Sequence, residues 1–139
     1  MIVKKVMGLV VTVLMLSGCA RPYGPAETVI NKQIVEPKSG TEQTKVTITR
    51  NKQWAGSLGD GGVCRFLIQI DGKDVAKLRQ NQFITAYLDN GNHLLRVSNE
   101  CDIASMGMRK SLEIKADGVE QNYLTEVGFW GQYRMWQVK

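Results

Sequence analysis

The chain has 139 residues, of which 43% are hydrophobic, and it carries 18 Lys and Arg residues against 13 Asp and Glu residues. This length supports one hydrophobic core and is too short for two. Removal of Lys4 and Lys5 with a leader would reduce the formal charge of +5 to about +3, spread along the chain. So weak and dispersed an excess of bases argues against a nucleic-acid-binding protein.

The N-terminus has the parts of a secretory signal: two lysines, an apolar run over 6–16, and small residues ahead of Cys19. The apolar run is far shorter than the roughly 20 residues that span a bilayer. The segment Leu16-Ser17-Gly18-Cys19 resembles the lipobox of bacterial lipoproteins. This resemblance implies removal of residues 1–18 and lipid on Cys19, which would anchor the protein in a membrane. The alternative is an uncleaved anchor or a buried helix.

The residue after the cysteine bears on which membrane receives the protein. In enteric lipoproteins an aspartate at this position marks retention in the inner membrane, and this chain has Ala20. The resemblance therefore favours the periplasmic face of the outer membrane. The periplasmic face of the inner membrane is the alternative.

Residues 19–43 read as the lipidated cysteine and a flexible linker. They contain all three prolines, Pro22, Pro25 and Pro37, and show no sustained apolar period. A coil of this length would have a span of roughly 25–30 Å and would hold the domain away from the lipid. The spacing of the apolar residues over 26–35 also fits a short helix.

From residue 44 to residue 139 the apolar residues recur every second position, which is typical of half-buried strands. Val46 and Ile48 alternate with polar residues, and Phe66, Ile68 and Ile70 share a face with Cys64. Further strands are predicted over 75–78, 82–88, 93–97, 112–114, 123–127 and 133–138. The pattern predicts an all-β domain, a small antiparallel β-sandwich or partly open barrel of seven to eight strands.

Two turn signals stand between predicted strands. Asp71-Gly72 and Asp89-Asn90-Gly91 both tolerate the positive φ angles that a tight turn requires. We expect the second of these to form a hairpin between the strands on either side.

The two remaining cysteines, Cys64 and Cys101, form an even pair, which in an oxidising compartment predicts one disulfide. Chain entropy gives such a bridge about 3.8 kcal/mol of stabilisation. Two free buried thiols are the alternative. A metal site is not expected, because the chain has one histidine and no Cys-x-x-Cys spacing.

The segment from Asp71-Gly72-Lys73 through Val75-Ala76-Lys77-Leu78 to His93-Leu94-Leu95-Arg96-Val97 resembles a recurrent module of bacterial envelope lipoproteins. The similarity is to small β-sandwich domains of the DUF2846 and PEGA-like type and covers roughly residues 44–97. Asn90 stands where the module usually has proline. The resemblance implies a fold and an envelope location, and it gives His93 a structural role in a turn.

No catalytic residue or cofactor is predicted. His93 has Ser98, Ser105 and Ser111 nearby in sequence but no recognisable nucleophile arrangement. The glycine-rich stretch 56–62 leads into a strand and lacks the Gly-Lys-[Ser/Thr] of a phosphate-binding loop. We therefore expect a protein that is not an enzyme, with an envelope hydrolase acting on cell wall or lipid as the alternative.

Aromatic residues concentrate near the C-terminus, where Trp, Tyr, Arg and Met are also the residue types enriched at interface hot spots. One interpretation is that these residues complete the core. The other is a partner surface made by Trp54, Trp130, Tyr133, Arg134 and Trp136. The sequence thus predicts a membrane-anchored periplasmic lipoprotein with a binding or structural role, and an envelope protein or peptidoglycan as its partner.

Overall fold

The computed structural model describes residues 23–51, 65–99, 109–128 and 132–139, and within these ranges it contains strands and no helix. No helix in the described ranges is long and apolar enough to cross a membrane. The strands in chain order are β1 (Gly24–Pro25), β2 (Thr28–Val29), β3 (Gln43–Arg50), β4 (Phe66–Ile70), β5 (Lys73–Leu78), β6 (Gln82–Asp89), β7 (Gly91–Asn99), β8 (Arg109–Ala116), β9 (Gln121–Val127) and β10 (Tyr133–Val138).

These strands form two five-stranded sheets. Sheet A has the order β1-β6-β3-β9-β10, and sheet B has the order β2-β5-β4-β7-β8. All neighbours are antiparallel except β1 with β6 and β3 with β9. The prediction of an all-β sandwich is confirmed, and the sheets do not close into a barrel.

The core lies between the two sheets and follows directly from the alternation in the sequence. Successive residues of a strand face opposite sides, so every second residue is buried. Val46 and Ile48 of β3 and Ile68 and Ile70 of β4 are at most 1% exposed. They are joined by apolar residues of the other strands, including Phe66, Val75, Leu78, Ile84, Ala86, Leu88, Leu95, Val97, Ile114, Tyr123 and Met135.

The two ends of the sandwich differ. At one end, here called the turn end, short connections join β4 to β5, β6 to β7 and β8 to β9. At the other, the loop end, strand pairing brings together the points where the longer connections 51–65, 100–108 and 128–132 leave the sheets. Arg50 lies at the loop end, where its guanidinium donates to the Leu78 carbonyl at 2.9 Å and lies 3.7 Å from the Phe66 ring centroid. A charged residue of sheet A thereby packs against sheet B.

One turn prediction holds and the other is wrong. Asp71 and Gly72 take φ angles of 53° and 79° in a two-residue hairpin between β4 and β5, as their chemistry predicts. The turn at 89–91 does not make a hairpin, because β6 belongs to sheet A and β7 to sheet B. Only Gly91 of this turn has a positive φ, at 134°. The chain reverses there by crossing from one sheet to the other.

Two short strands lie within the range expected to be a linker. Gly24 and Pro25 pair in parallel with Gln82 and Phe83, and Thr28 and Val29 pair with Lys77 and Ala76. Farther along, the Tyr87 N–H donates to the Ile34 carbonyl at 2.8 Å. The apolar residues that fitted a helical spacing do not form one: Val29 and Ile34 pack on the core of the sandwich instead. Because strands this short hold no alternating pattern, the sequence did not predict them.

Candidate functional site

The predicted site residues divide into those that the structure describes and those that it does not. Cys19, Cys64, Cys101, Trp54 and Trp130 lie outside the described residues. Tyr133, Arg134 and Trp136 all lie on β10, the edge strand of sheet A.

Tyr133 is not part of a partner surface. It is 8% exposed, and its ring meets the Phe66 ring edge-on, with 4.9 Å between centroids and an interplanar angle of 80°. This contact joins sheet A to sheet B in the core. Successive residues of β10 face opposite sides, so Tyr133 faces the interior and Arg134 faces outward.

Arg134 and Trp136 lie on the opposite side of β10 from Tyr133. The Arg134 guanidinium is 3.2 Å from a carboxylate oxygen of Glu126 and 5.4 Å from the centroid of the Trp136 ring. A cation at this distance from an indole is attracted by the ring, and it holds the indole in place. Trp136 is half-buried and Arg134 is exposed.

Beside Trp136 is a cleft that the sequence did not predict, here called the edge cleft. It has a volume of about 440 Å³ and opens between β10 of sheet A and β8 of sheet B. The lining is mixed. Its apolar part comes from Leu112, Ile114, Tyr123, Met135 and Trp136, and its polar part comes from Glu113, Lys115, Asp117, Gln121 and Gln137. Two edge strands from different sheets make this cleft, and no local pattern in the sequence reveals that they lie side by side.

The polar groups within the edge cleft hydrogen-bond to one another. The Tyr123 hydroxyl donates to Gln121 Oε1 at 2.7 Å, and Gln121 Nε2 donates to the Lys115 carbonyl at 2.7 Å. Burial raises the pKa of the Tyr123 hydroxyl, and the negative charge of Asp117 adds to this effect. The hydroxyl is therefore neutral at physiological pH, and the arrangement suits binding better than proton transfer.

Both strands beside the edge cleft have one side without a neighbouring strand. Among the described residues, β8 pairs only with β7 and β10 pairs only with β9. An edge strand presents a row of backbone N–H and C=O groups that can pair with another extended chain. An open edge beside a cleft with both apolar and polar lining is thus equipped to receive an extended peptide.

His93 lies at the turn end on β7, opposite Ile114 of the edge strand β8, and it connects two turns. Its Nδ1 is 2.6 Å from Asp71 Oδ2, and its Nε2 is 2.6 Å from the Asp89 carbonyl oxygen. The other oxygen of Asp71 accepts a hydrogen bond from the Leu94 N–H at 2.9 Å. Because both ring nitrogens face acceptors, the geometry favours the doubly protonated imidazolium.

The hydrogen bonds between His93, Asp71 and their neighbours shift the pKa values of both residues. Burial alone would lower the pKa of His93, but its hydrogen bonds to Asp71 and Asp89 and the charges of these two residues outweigh burial and raise it. Burial alone would raise the pKa of Asp71, yet the bonds from His93 and Leu94, with the charges of His93 and Lys73, lower it. The pair is therefore an ion pair that joins two turns.

A smaller cleft of about 210 Å³ adjoins this ion pair, between the 31–38 segment and the turn end. His93, Asp71 and Tyr87 are among its lining residues. Since His93 is hydrogen-bonded through both nitrogens, it has no lone pair available as a base at this cleft. No group of three or more metal-ligating side chains occurs in the described ranges.

Comparison with protein-family models, curated proteins and solved structures finds no match to this chain.

Proposed function

We propose that the protein is a membrane-anchored periplasmic lipoprotein with a non-catalytic binding role, and that it binds an extended segment of another envelope protein at the edge cleft. The observation that carries the binding role is the cleft between two open strand edges, with Trp136 held at its rim by Arg134. The anchor rests on the lipobox-like segment that ends at Cys19.

An extended segment suits this cleft better than a rounded ligand does. The main chain of an added strand would hydrogen-bond to the open edge of β10 or β8, and this contact gives affinity without regard to sequence. Alternate side chains of the added strand would point into the cleft, where the half-buried Leu112 and Trp136 offer apolar surface. The specificity would then come from apolar residues at every second position of the partner.

The anchor would hold the sandwich close to the lipid. Strand β1 begins at Gly24, so five residues, 19–23, separate the start of the proposed lipidated chain from the sandwich. Five extended residues reach at most about 18 Å. This distance is shorter than the span expected for a linker reaching residue 43, and it brings the domain to the membrane surface.

The binding role is tested by crosslinking in cells. A photoreactive amino acid at Gln137, which lines the edge cleft, should give discrete adducts, and their peptides should map to one extended segment with alternating apolar residues. Trp136→Ala should weaken binding of that segment, made as a synthetic peptide, by about 30-fold, as expected for a hot-spot tryptophan. Phe83→Ala, on a half-buried aromatic residue of β6, which β3 and β9 separate from β10, is the matched control and should leave the affinity unchanged.

Two results would contradict the binding role. One is the same set of adducts from a photoreactive residue placed at Lys45, on the outer face of sheet A. The other is an unchanged affinity after Trp136→Ala in a variant that remains folded. Mass spectrometry of the protein from its own host tests the anchor separately, since a chain with residues 1–18 retained and no acyl group would exclude it.

A further inference from the structure

The outer face of sheet B has an excess of positive charge. Strand alternation and pairing place five basic side chains on this face, together with two acidic ones. The bases are Arg65, Lys77, Arg96, Arg109 and Lys115, and the acids are Asp74 and Glu113. Among the described residues this face therefore has more bases than acids.

The outer face of sheet A has no such excess. Each base that faces outward from its strands has an acid beside it: Lys45 is 3.7 Å from Glu120, and Arg134 is 3.2 Å from Glu126. The charge of the described sandwich is thus unequally divided between its two outer faces.

The bases of sheet B lie across a broad face and do not converge on a pocket. Strand register puts Lys77, Leu67, Ser98 and Arg109 in one row across four strands. Arg96 belongs to the next row on the same face, beside Ser111, to which its Nε donates at 3.1 Å. Successive rows on one face are separated by about 7 Å along the strands. Charges spread in this way match an extended negative surface better than a single anion.

We propose that the outer face of sheet B lies against the anionic phospholipid headgroups of the membrane that holds the anchor. The nearness of the bilayer rests on the proposed lipid at Cys19 and the short connection from there to β1. The charge distribution stands independently of the anchor. With sheet B toward the lipid, the outer face of sheet A and its edge strand β10 would face away from the membrane, where a partner can reach them.

The test uses a chain that starts at residue 19 with Cys19→Ser, which keeps every described residue and has no acyl group. Co-sedimentation with vesicles of phosphatidylcholine alone is compared with vesicles containing 30% phosphatidylglycerol. Each base near an anionic surface contributes about fivefold to partitioning. Arg96→Gln with Arg109→Gln should therefore lower partitioning onto the anionic vesicles by roughly 25-fold. Raising the salt from 0.05 M to 0.5 M should weaken binding of the parent chain, because exposed charges are screened.

The matched control is Lys45→Gln with Lys139→Gln, which removes the same charge from the side of sheet A. This pair should lower partitioning much less than the arginine pair does. An equal loss in both pairs would overturn the proposal, and so would equal binding to the two kinds of vesicle. Arg109→Gln alone tests the proposal even if the double variant misfolds, because Arg109 is exposed. This single change should still lower partitioning onto the anionic vesicles about fivefold. Binding to a soluble anionic polysaccharide without binding to vesicles would overturn the membrane as the partner and leave the anchor untouched.

Discussion

At the scale of single residues, Thr44 joins two connections of the turn end. Its side chain is fully buried, donates to Asn90 Oδ1 at 2.8 Å and accepts from the Gly118 N–H at 2.7 Å. One hydroxyl therefore links β3 to the crossing at 89–91 and to the turn between β8 and β9. A buried hydroxyl that both donates and accepts is costly to remove. Its buried partners lose their hydrogen bonds and cannot replace them with bonds to water.

Thr44→Val keeps the shape of the side chain and removes both hydrogen bonds. We expect it to lower the free energy of unfolding by about 2 kcal/mol, since the Gly118 N–H is left without this acceptor. Urea denaturation measures the change. Thr47→Val is the control: the Thr47 hydroxyl contacts the Thr85 hydroxyl at 3.0 Å on a half-buried outer position, and water can replace it. Equal losses for the two variants would contradict the role given to Thr44.

The ion pair of His93 and Asp71 makes stability depend on pH in a defined direction. The pKa of His93 is raised above its usual 6.5, so its stabilising effect is complete below pH 6.5 and is lost as the pH rises through the folded-state pKa. The pKa of Asp71 is lowered below 3.8, so its effect is present above that pH and is lost as the pH falls through the folded-state value. The pair stabilises the fold most between about pH 4 and pH 6.5.

We therefore expect the free energy of unfolding to fall as the pH is raised from 6 through 8, and His93→Gln to remove most of that dependence. Urea denaturation at a series of pH values measures it. Asp71→Asn should reduce the same pH dependence of the free energy of unfolding, because it removes the main partner of the imidazolium. Asp74→Asn is the control on the same hairpin, since Asp74 is bonded to Gln69 at 2.7 Å. An unchanged pH profile in His93→Gln would contradict this account.

At the scale of elements, the pairing of β4 with β7 bears on the two cysteines. Phe66 pairs with Asn99 in antiparallel register. Cys64 precedes Phe66 by two residues, and Cys101 follows Asn99 by two. The predicted bridge would therefore join the two chain segments that continue from this paired position.

We expect protein from an oxidising compartment to contain the Cys64–Cys101 bridge, detectable by mass spectrometry of a non-reduced digest. Cys64→Ser and Cys101→Ser should each lower the free energy of unfolding by about 3–4 kcal/mol, and the double variant should lose no more than either single one. The double variant separates a single shared bond from two independent buried thiols. Alkylation of both thiols in the folded, non-reduced protein would exclude the bridge.

The sequence predicted the eight longer strands because each buries alternate residues on one side. Val46 and Ile48, for example, alternate with polar residues, and this period of two indicates a strand. The same alternation places Arg50 on the core side of β3. A charged residue is not expected there from the sequence, because a buried arginine is uncommon without contacts such as those to Leu78 and Phe66.

The remaining features depended on contacts that no local pattern contains. The Asp89–Gly91 signal specifies that the chain reverses, but it does not specify which sheet the next strand joins. Tyr133 is of a residue type equally suited to an interface or a core, and only its packing on Phe66 decides between them. The edge cleft requires β8 and β10 to lie together, which follows from the stacking of the sheets.

At the scale of the whole molecule, the two faces and the two ends of the sandwich have different properties. Sheet A has charges balanced by acids and sheet B has an excess of bases, while the turn end is fixed by Thr44 and His93. The edge cleft lies along one side, between the sheets. In the proposed arrangement, lipid would meet the outer face of sheet B and a partner would meet the adjoining edge cleft, to which Lys115 also belongs.

The parallel pairing of β3 with β9 has a consequence for synthesis of the protein. Val46 pairs with Gln121, 75 residues later in the chain, and β10 extends the sheet beyond β9. A nascent chain on the ribosome therefore cannot close this sheet until β9 has been translated. Long-range strand pairing is also slow to form. The topology thus leaves β3 without its neighbour β9 for as long as translation needs to reach Gln121.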